Sequence, residues 1–347
     1  MKKTFLLLSL LYTIIGSGQN AIHDLNGTWI KVKSEMKDGS KLFSRHEEES
    51  TYVEFKINTN QLCINYYPFH SKSQDCVKFN LENDFIKTSP TSGYTIEKIT
   101  DDSLKLTEKI AGLKDDKLRR YYLVKQETLL ARFKEENKNN KNIVATANCT
   151  PKTTGNIGKD LVDAYKMKYG NFKLIGHLII YPGEKKIQTV ITYASKKDSP
   201  KIQILKKVLD NSFKNWDLTN FNEYESITLP FVVENINIKH SVGIDIIFFS
   251  DNLNDLKPFT MRNVAKQVKA DELFKHGILA FQEKNYAKAI ASFSECYEKD
   301  PKNLDALYNK AAALFQSGDK EKACKVWKEI SNLGQVTGKE LHHTYCE

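Results

Sequence analysis

From Asp24 onward the chain alternates apolar and polar positions in short runs. Val53, Phe55 and Ile57 interleave with Tyr52, Glu54 and Lys56, the two-residue period of a strand with one face in water. Comparable runs, divided by polar turns, fall at Thr28 to Lys33, Thr51 to Ile57, Leu62 to Tyr67, Cys76 to Asn80, Phe85 to Thr88, Tyr94 to Ile99, Leu104 to Glu108 and Arg120 to Lys125. About eight antiparallel strands commonly close into an up-and-down barrel, which leaves no unpaired edge. Residues 22–127 are therefore expected to form an all-β barrel.

The period then changes. Glu127 to Asn137 reads as a short helix, and the polar residues of 128–157 read as a linker. Leu161, Val162 and Tyr165 predict a helix over 158–169, and Phe172 to Tyr181 with Ile187 to Tyr193 predict a hairpin about Pro182-Gly183-Glu184-Lys185. Ile202, Leu205, Val208, Leu209, Phe213 and Trp216 recur at three- and four-residue intervals, an amphipathic helix reaching Trp216. With strands at Ile227 to Val233 and Val242 to Phe249, residues 158–265 read as an α+β domain.

Residues 266–347 match themselves at an offset of 34. Leu273, Gly277, Ala289, Phe293 and Cys296 recur as Leu307, Ala311, Ala323, Trp327 and Ile330. That period, with its large, small and aromatic positions, identifies two tetratricopeptide (TPR) repeats. Asp300-Pro301 closes the first, and Asn285-Tyr286 and Gly318-Asp319 mark the turns inside the two. Two repeats are fewer than the three or so an isolated array needs, so a terminal helix over 338–347 is expected as a cap.

Two looser resemblances add to this. Leu25-Asn26-Gly27-Thr28-Trp29, with the late stretch Tyr94 to Leu106, resembles a lipocalin-like domain, whose tryptophan closes one barrel end. The family implies a small apolar ligand inside the barrel. Tyr66, Tyr67, Phe69, Phe79 and Phe85 either line such a cavity or simply fill a small interior. The order Gly176 to Tyr181, turn, Ile187 to Tyr193, helix with a late Trp216, then Ser226-Ile-Thr-Leu-Pro-Phe231 resembles the C-terminal domain of TonB-type proteins. It implies a sheet edge able to accept a peptide strand. Energy transducers of that family carry a membrane anchor and a Pro-rich spacer, and neither is read here, so force transmission is not carried over. The fold class is thus multidomain: an all-β lipocalin-like barrel, an α+β TonB-C-like domain and all-α TPR helical repeats.

Residues 1–18 read as a signal peptide: Met1-Lys2-Lys3, an apolar run from Phe5 to Ile15, then Gly16-Ser17-Gly18. The run is too short to cross about 30 Å of hydrocarbon, so a periplasmic or secreted protein is expected. Losing Lys2 and Lys3 takes the formal charge from +9 to +7. The remaining lysines alternate with Asp and Glu without a basic-aromatic motif, so no nucleic-acid partner is expected.

Export makes disulfides admissible for the six cysteines. Cys63 and Cys76 flank a hairpin loop, and Cys324 and Cys346 would staple the terminal helix to the last repeat. Cys149 has no obvious mate and is either free or paired with another chain; Cys296 reads as a buried thiol. The spacing fits no zinc site. His342-His343 does not make one either, because neighbouring helical residues face different ways. Nucleophile elbows, phosphate loops, HExxH and paired carboxylates are absent from the sequence. The expectation is a non-enzymatic exported interaction protein with no cofactor, whose TPR groove holds a protein or peptide partner. The groove candidates are Lys275, Gln282, Tyr308, Asn309, Ala312 and Gln316; the bland alternative is that they are solvated helix surface. In the groove, Asn309 would fix a peptide backbone and Lys275 would meet an acidic terminus. The competing function is a small apolar ligand held in the barrel.

Overall fold

The computed structural model describes residues 25–42, 52–66, 75–165, 170–195, 199–238, 241–256 and 261–347. The expected signal peptide, Tyr67 and Phe69 lie outside them. Among the described residues, no helix is long and apolar enough to cross a membrane.

The N-terminal strands are β1 (Gly27–Met36), β2 (Glu54–Asn58), β3 (Gln61–Asn65), β4 (Asp75–Lys78), β5 (Asn80–Glu82), β6 (Phe85–Lys87), β7 (Ser92–Ile99), β8 (Ser103–Ile110) and β9 (Arg119–Lys125). They form one antiparallel sheet in the order β4-β3-β2-β1-β9-β8-β7-β6-β5. The first strand pairs with the last, as barrel closure requires. Nine strands replace the expected eight because the fourth bends at buried Phe79, pairing with β3 before the bend and β6 after it. The sheet is thereby a nearly closed barrel. Trp29, Phe55, Ile57, Leu62, Ile86, Leu104, Leu106 and Tyr121 fill its interior, with Phe55 edge-on to Tyr121 and Tyr94 at 5.3 and 5.9 Å. The Trp29 indole donates to the Leu25 carbonyl at 2.8 Å, so its one polar atom is satisfied while the ring stays buried.

A second sheet places β15 (Ser226–Ile238) between β12 (Phe172–Tyr181) on one side and β10 (Asn142–Val144) with β16 (Ser241–Phe248) on the other. β13 (Lys186–Ala194) pairs, among the described residues, with β12 alone and forms one free edge. Every second residue of β12 is buried, against α2 (Ile157–Tyr165) and α3 (Ser199–Asp210), which supply Leu161, Leu205 and Leu209 to the same core. Two expectations change here. The helix expected to reach Trp216 ends at Asp210, whose carboxylate accepts the Thr189 N–H at 2.7 Å. Trp216 instead opens β14 (Trp216–Asp217), paired with β11 (Lys152–Thr153). The 128–157 stretch, expected as a linker, contributes α1 (Gln126–Glu136), β10 and β11.

The C-terminal helices are α4 (Met261–Gln282), α5 (Tyr286–Lys299), α6 (Leu304–Gln316), α7 (Lys320–Asn332) and α8 (Val336–Cys346). Asn285, Asn303 and Asp319 cap α5, α6 and α7 by accepting the backbone N–H three residues on. Gly277 lies under Phe293: a Cβ there would stand 2.5 Å from the ring, which is why the helices of the first pair can cross so closely.

The three parts are not strung loosely. Ile30 and Tyr52, on the outer face of the barrel, belong to the same core as Phe133, Ile143 and Phe231. The face that alternation predicts to be wet is therefore covered, and Glu54 on it is fully buried. Its carboxylate accepts from Lys152 and from the Tyr52 hydroxyl. Burial, then the neighbouring Glu54 charge, push the Tyr52 hydroxyl well above the usual tyrosine range.

Candidate functional site

A cleft of about 410 Å³ opens where the barrel meets the first helix of each helix pair. Asp271 and Phe274 of α4 and Leu304, Asp305 and Tyr308 of α6 form one wall; Met36, Lys41, Leu42, Lys117 and Arg119 of the barrel form the other. The side chains on α4 and α6 follow from helical spacing, since residues three and four apart share a face.

The segment after β1 fixes the geometry. The Lys41 N–H donates to the Gly334 carbonyl at 2.9 Å, the Gln335 side chain donates to the Lys41 carbonyl at 3.1 Å, and the Val336 N–H donates to the Ser40 hydroxyl at 2.9 Å. The last of these satisfies an N–H that the start of α8 would otherwise leave open. Ser40 and Leu42 are buried by this contact. Across the cleft mouth, the Lys117 ammonium meets Asp305 at 2.7 Å. Burial, together with the nearby carboxylates of Asp116, Asp38 and Asp305, pushes the Tyr308 hydroxyl up to about 12. It stays a neutral hydrogen-bonding group at the floor of an otherwise charged cleft.

Of the six groove candidates, Tyr308 lines this cleft. Asn309 turns its amide to the Asp305 carbonyl of its own helix at 2.7 Å, Ala312 is half-buried, and Lys275, Gln282 and Gln316 are exposed. Sequence reasoning missed Asp271, Phe274 and Asp305. The helical positions that face the groove are visible in the chain, but which of them the barrel approaches depends on contacts almost three hundred residues apart in sequence.

A second recess, of about 500 Å³, follows the free edge of β13 from Gln188 to Ala194 and is walled by Ile202 and Lys206 of α3. Tyr193 there is 44% exposed. At Thr189 the edge N–H is already taken by Asp210.

Among the barrel candidates, Phe79 is buried, Tyr66 packs against the barrel core, and Phe85 is half-buried under the Lys109 ammonium, 4.9 Å from the ring centroid. Disulfides join Cys63 to Cys76, directly paired across β3 and β4, and Cys324 to Cys346. Cys149 and Cys296 are buried free thiols. Burial, reinforced by Glu136, raises the Cys149 thiol to about 11, so it remains protonated. His342 and His343 both face the Glu347 carboxylate, at 3.3 and 2.7 Å, and among the described residues no group of three or more His, Cys, Asp and Glu could hold a metal.

Residues 280–336 match the tetratricopeptide repeat family. No curated protein matches the chain.

Proposed function

We propose that this chain is a non-enzymatic, exported interaction protein of the cell envelope, and that it holds a segment of a protein partner in the cleft between the barrel and α4 and α6. One observation carries the reading: the cleft lies on the first helices of the two helix pairs, the second of them inside the matched tetratricopeptide residues, on the face by which such arrays take up peptides, and it combines Phe274 and Tyr308 with charges of both signs. An aromatic floor supplies apolar contact area, and paired charges at the rim select the register of the bound segment. The free edge of β13, in the domain that resembles TonB C-terminal domains, offers the same partner a second contact by strand addition. The lipocalin-like barrel serves in this reading as the opposite wall of the cleft. The filled interior favours that role over ligand storage.

The test is photo-crosslinking in cells that express the full chain. A photoreactive phenylalanine analogue at Tyr308 should give a discrete crosslinked protein that the same analogue at exposed Lys288, on α5, does not. Equal crosslinking at the two positions, or none at Tyr308, overturns the proposal.

A further inference from the structure

The turn after β8 is unlike the other described turns of the barrel. Ile110, Ala111, Gly112 and Leu113 carry no charge and are all exposed, with Ile110 at 38% and Leu113 at 47%. Two backbone bonds nonetheless fix the turn, one within it and one to the neighbouring turn. The Leu113 N–H donates to the Ile110 carbonyl at 3.2 Å, and the Ala111 N–H donates to the Thr91 carbonyl at 2.8 Å. Gly112 takes a φ of 83° at the apex and has open space where a Cβ would be. The two large aliphatic side chains are thus exposed on either side of an apex that meets open space.

Lysines bracket it. Lys109 and Lys114 flank the four residues, and among the described residues neither meets a carboxylate. Of the nearby acids, Asp115 pairs with Lys37 at 3.0 Å, Glu108 accepts from the Arg119 N–H and the Tyr121 hydroxyl at 3.0 and 3.2 Å, and Asp116 lines the cleft beside Tyr308. The Lys109 ammonium also lies over the Phe85 ring, which adds an aromatic edge to the base of the tip.

We infer that this turn is a membrane-surface contact, with Ile110 and Leu113 entering the headgroup–acyl boundary of an anionic bilayer and Lys109 and Lys114 meeting its phosphates. Shape decides for a lipid over a protein. A convex apolar tip has no concavity to receive a partner's side chain, whereas a bilayer deforms around it and supplies apolar contact on every side. Charge decides for an anionic lipid, because the cations stand where the headgroups would be when the aliphatic side chains are submerged. A protein anchored this way needs no spanning segment, and its contact is reversible.

Fluorescence tests this on the full chain. Its three tryptophans, Trp29, Trp216 and Trp327, are all buried, so a Leu113→Trp variant adds one exposed reporter. Titration with phosphatidylcholine vesicles containing about a third phosphatidylglycerol should shift the new emission to the blue, and brominated acyl chains should quench it; pure phosphatidylcholine should do so far more weakly. Adding Lys109→Gln and Lys114→Gln should raise the half-saturating lipid concentration on the order of tenfold. A tip that seats on a protein instead leaves the titration flat, and that result overturns the inference. So does a blue shift that the two lysine substitutions leave unchanged, since the charge argument would then have failed.

Discussion

Glu97 stands on the outer face of the barrel, where β7, β8 and β9 bring it within reach of Lys105, Thr107 and Arg120. Partial burial alone would raise its pKa, but those hydrogen bonds outweigh burial and hold the carboxyl at about 2. Because its folded pKa lies below the unfolded value, its contribution to stability is present above about pH 4.5 and is lost as pH falls toward 2. Glu97→Gln should therefore cost about 1–2 kcal/mol at pH 7, discounted for solvent screening, and almost nothing at pH 2. Urea unfolding at the two pH values measures the difference, and an equal cost at both would contradict the assignment. None of this could be seen in the sequence, where Glu97 is one polar residue in an alternating strand. Its three partners are set by register, and register is set by which strands neighbour it. Glu54 teaches the same lesson in reverse: alternation places it correctly off the barrel core, but only the second sheet packed over it makes it buried.

At the scale of single elements, periodicity was a good guide wherever one face packs locally. The 34-residue repeat marks the turns, the Gly277 crossing and the helix pairs, because each contact lies within a single repeat. It failed where an element is defined by a distant partner. β10 is three residues that have strand character only through parallel pairing with β15, about eighty residues on. The expected helix over Phe213 and Trp216 ends early because Ser212 receives the Trp216 indole N–H at 3.0 Å and donates to the Leu209 carbonyl. α8 is held by the Cys324–Cys346 bond and by Tyr345 against Phe315 and Trp327, at 5.1 and 5.5 Å. Cys324→Ser should lower stability under oxidising conditions by about 3 kcal/mol on the loop-entropy model, and by little in reductant. Thermal unfolding of wild type and variant, with and without reductant, separates the disulfide from the packing. An effect of equal size in both would assign it to packing alone.

For the whole molecule, the barrel and the helical repeats are joined at Ser40, Lys41 and Lys117 on one side and at Asp305, Gly334, Gln335 and Val336 on the other. Gln335→Ala combined with Lys117→Ala removes one buried and one exposed contact and should weaken that docking by about 1–2 kcal/mol. Amide exchange at Val336 to Gly338 should quicken several-fold while exchange in β1 and β9 stays as it was. Unchanged exchange at α8 would mean that the backbone bond from Lys41 to Gly334 suffices. That bond also has a consequence in time. Lys41 precedes Gly334 by almost three hundred residues, so the junction cannot form until the barrel and the helices between them have been made. Once formed, it closes a loop that runs through all three parts of the chain, whose ordering must precede the contact that rewards it.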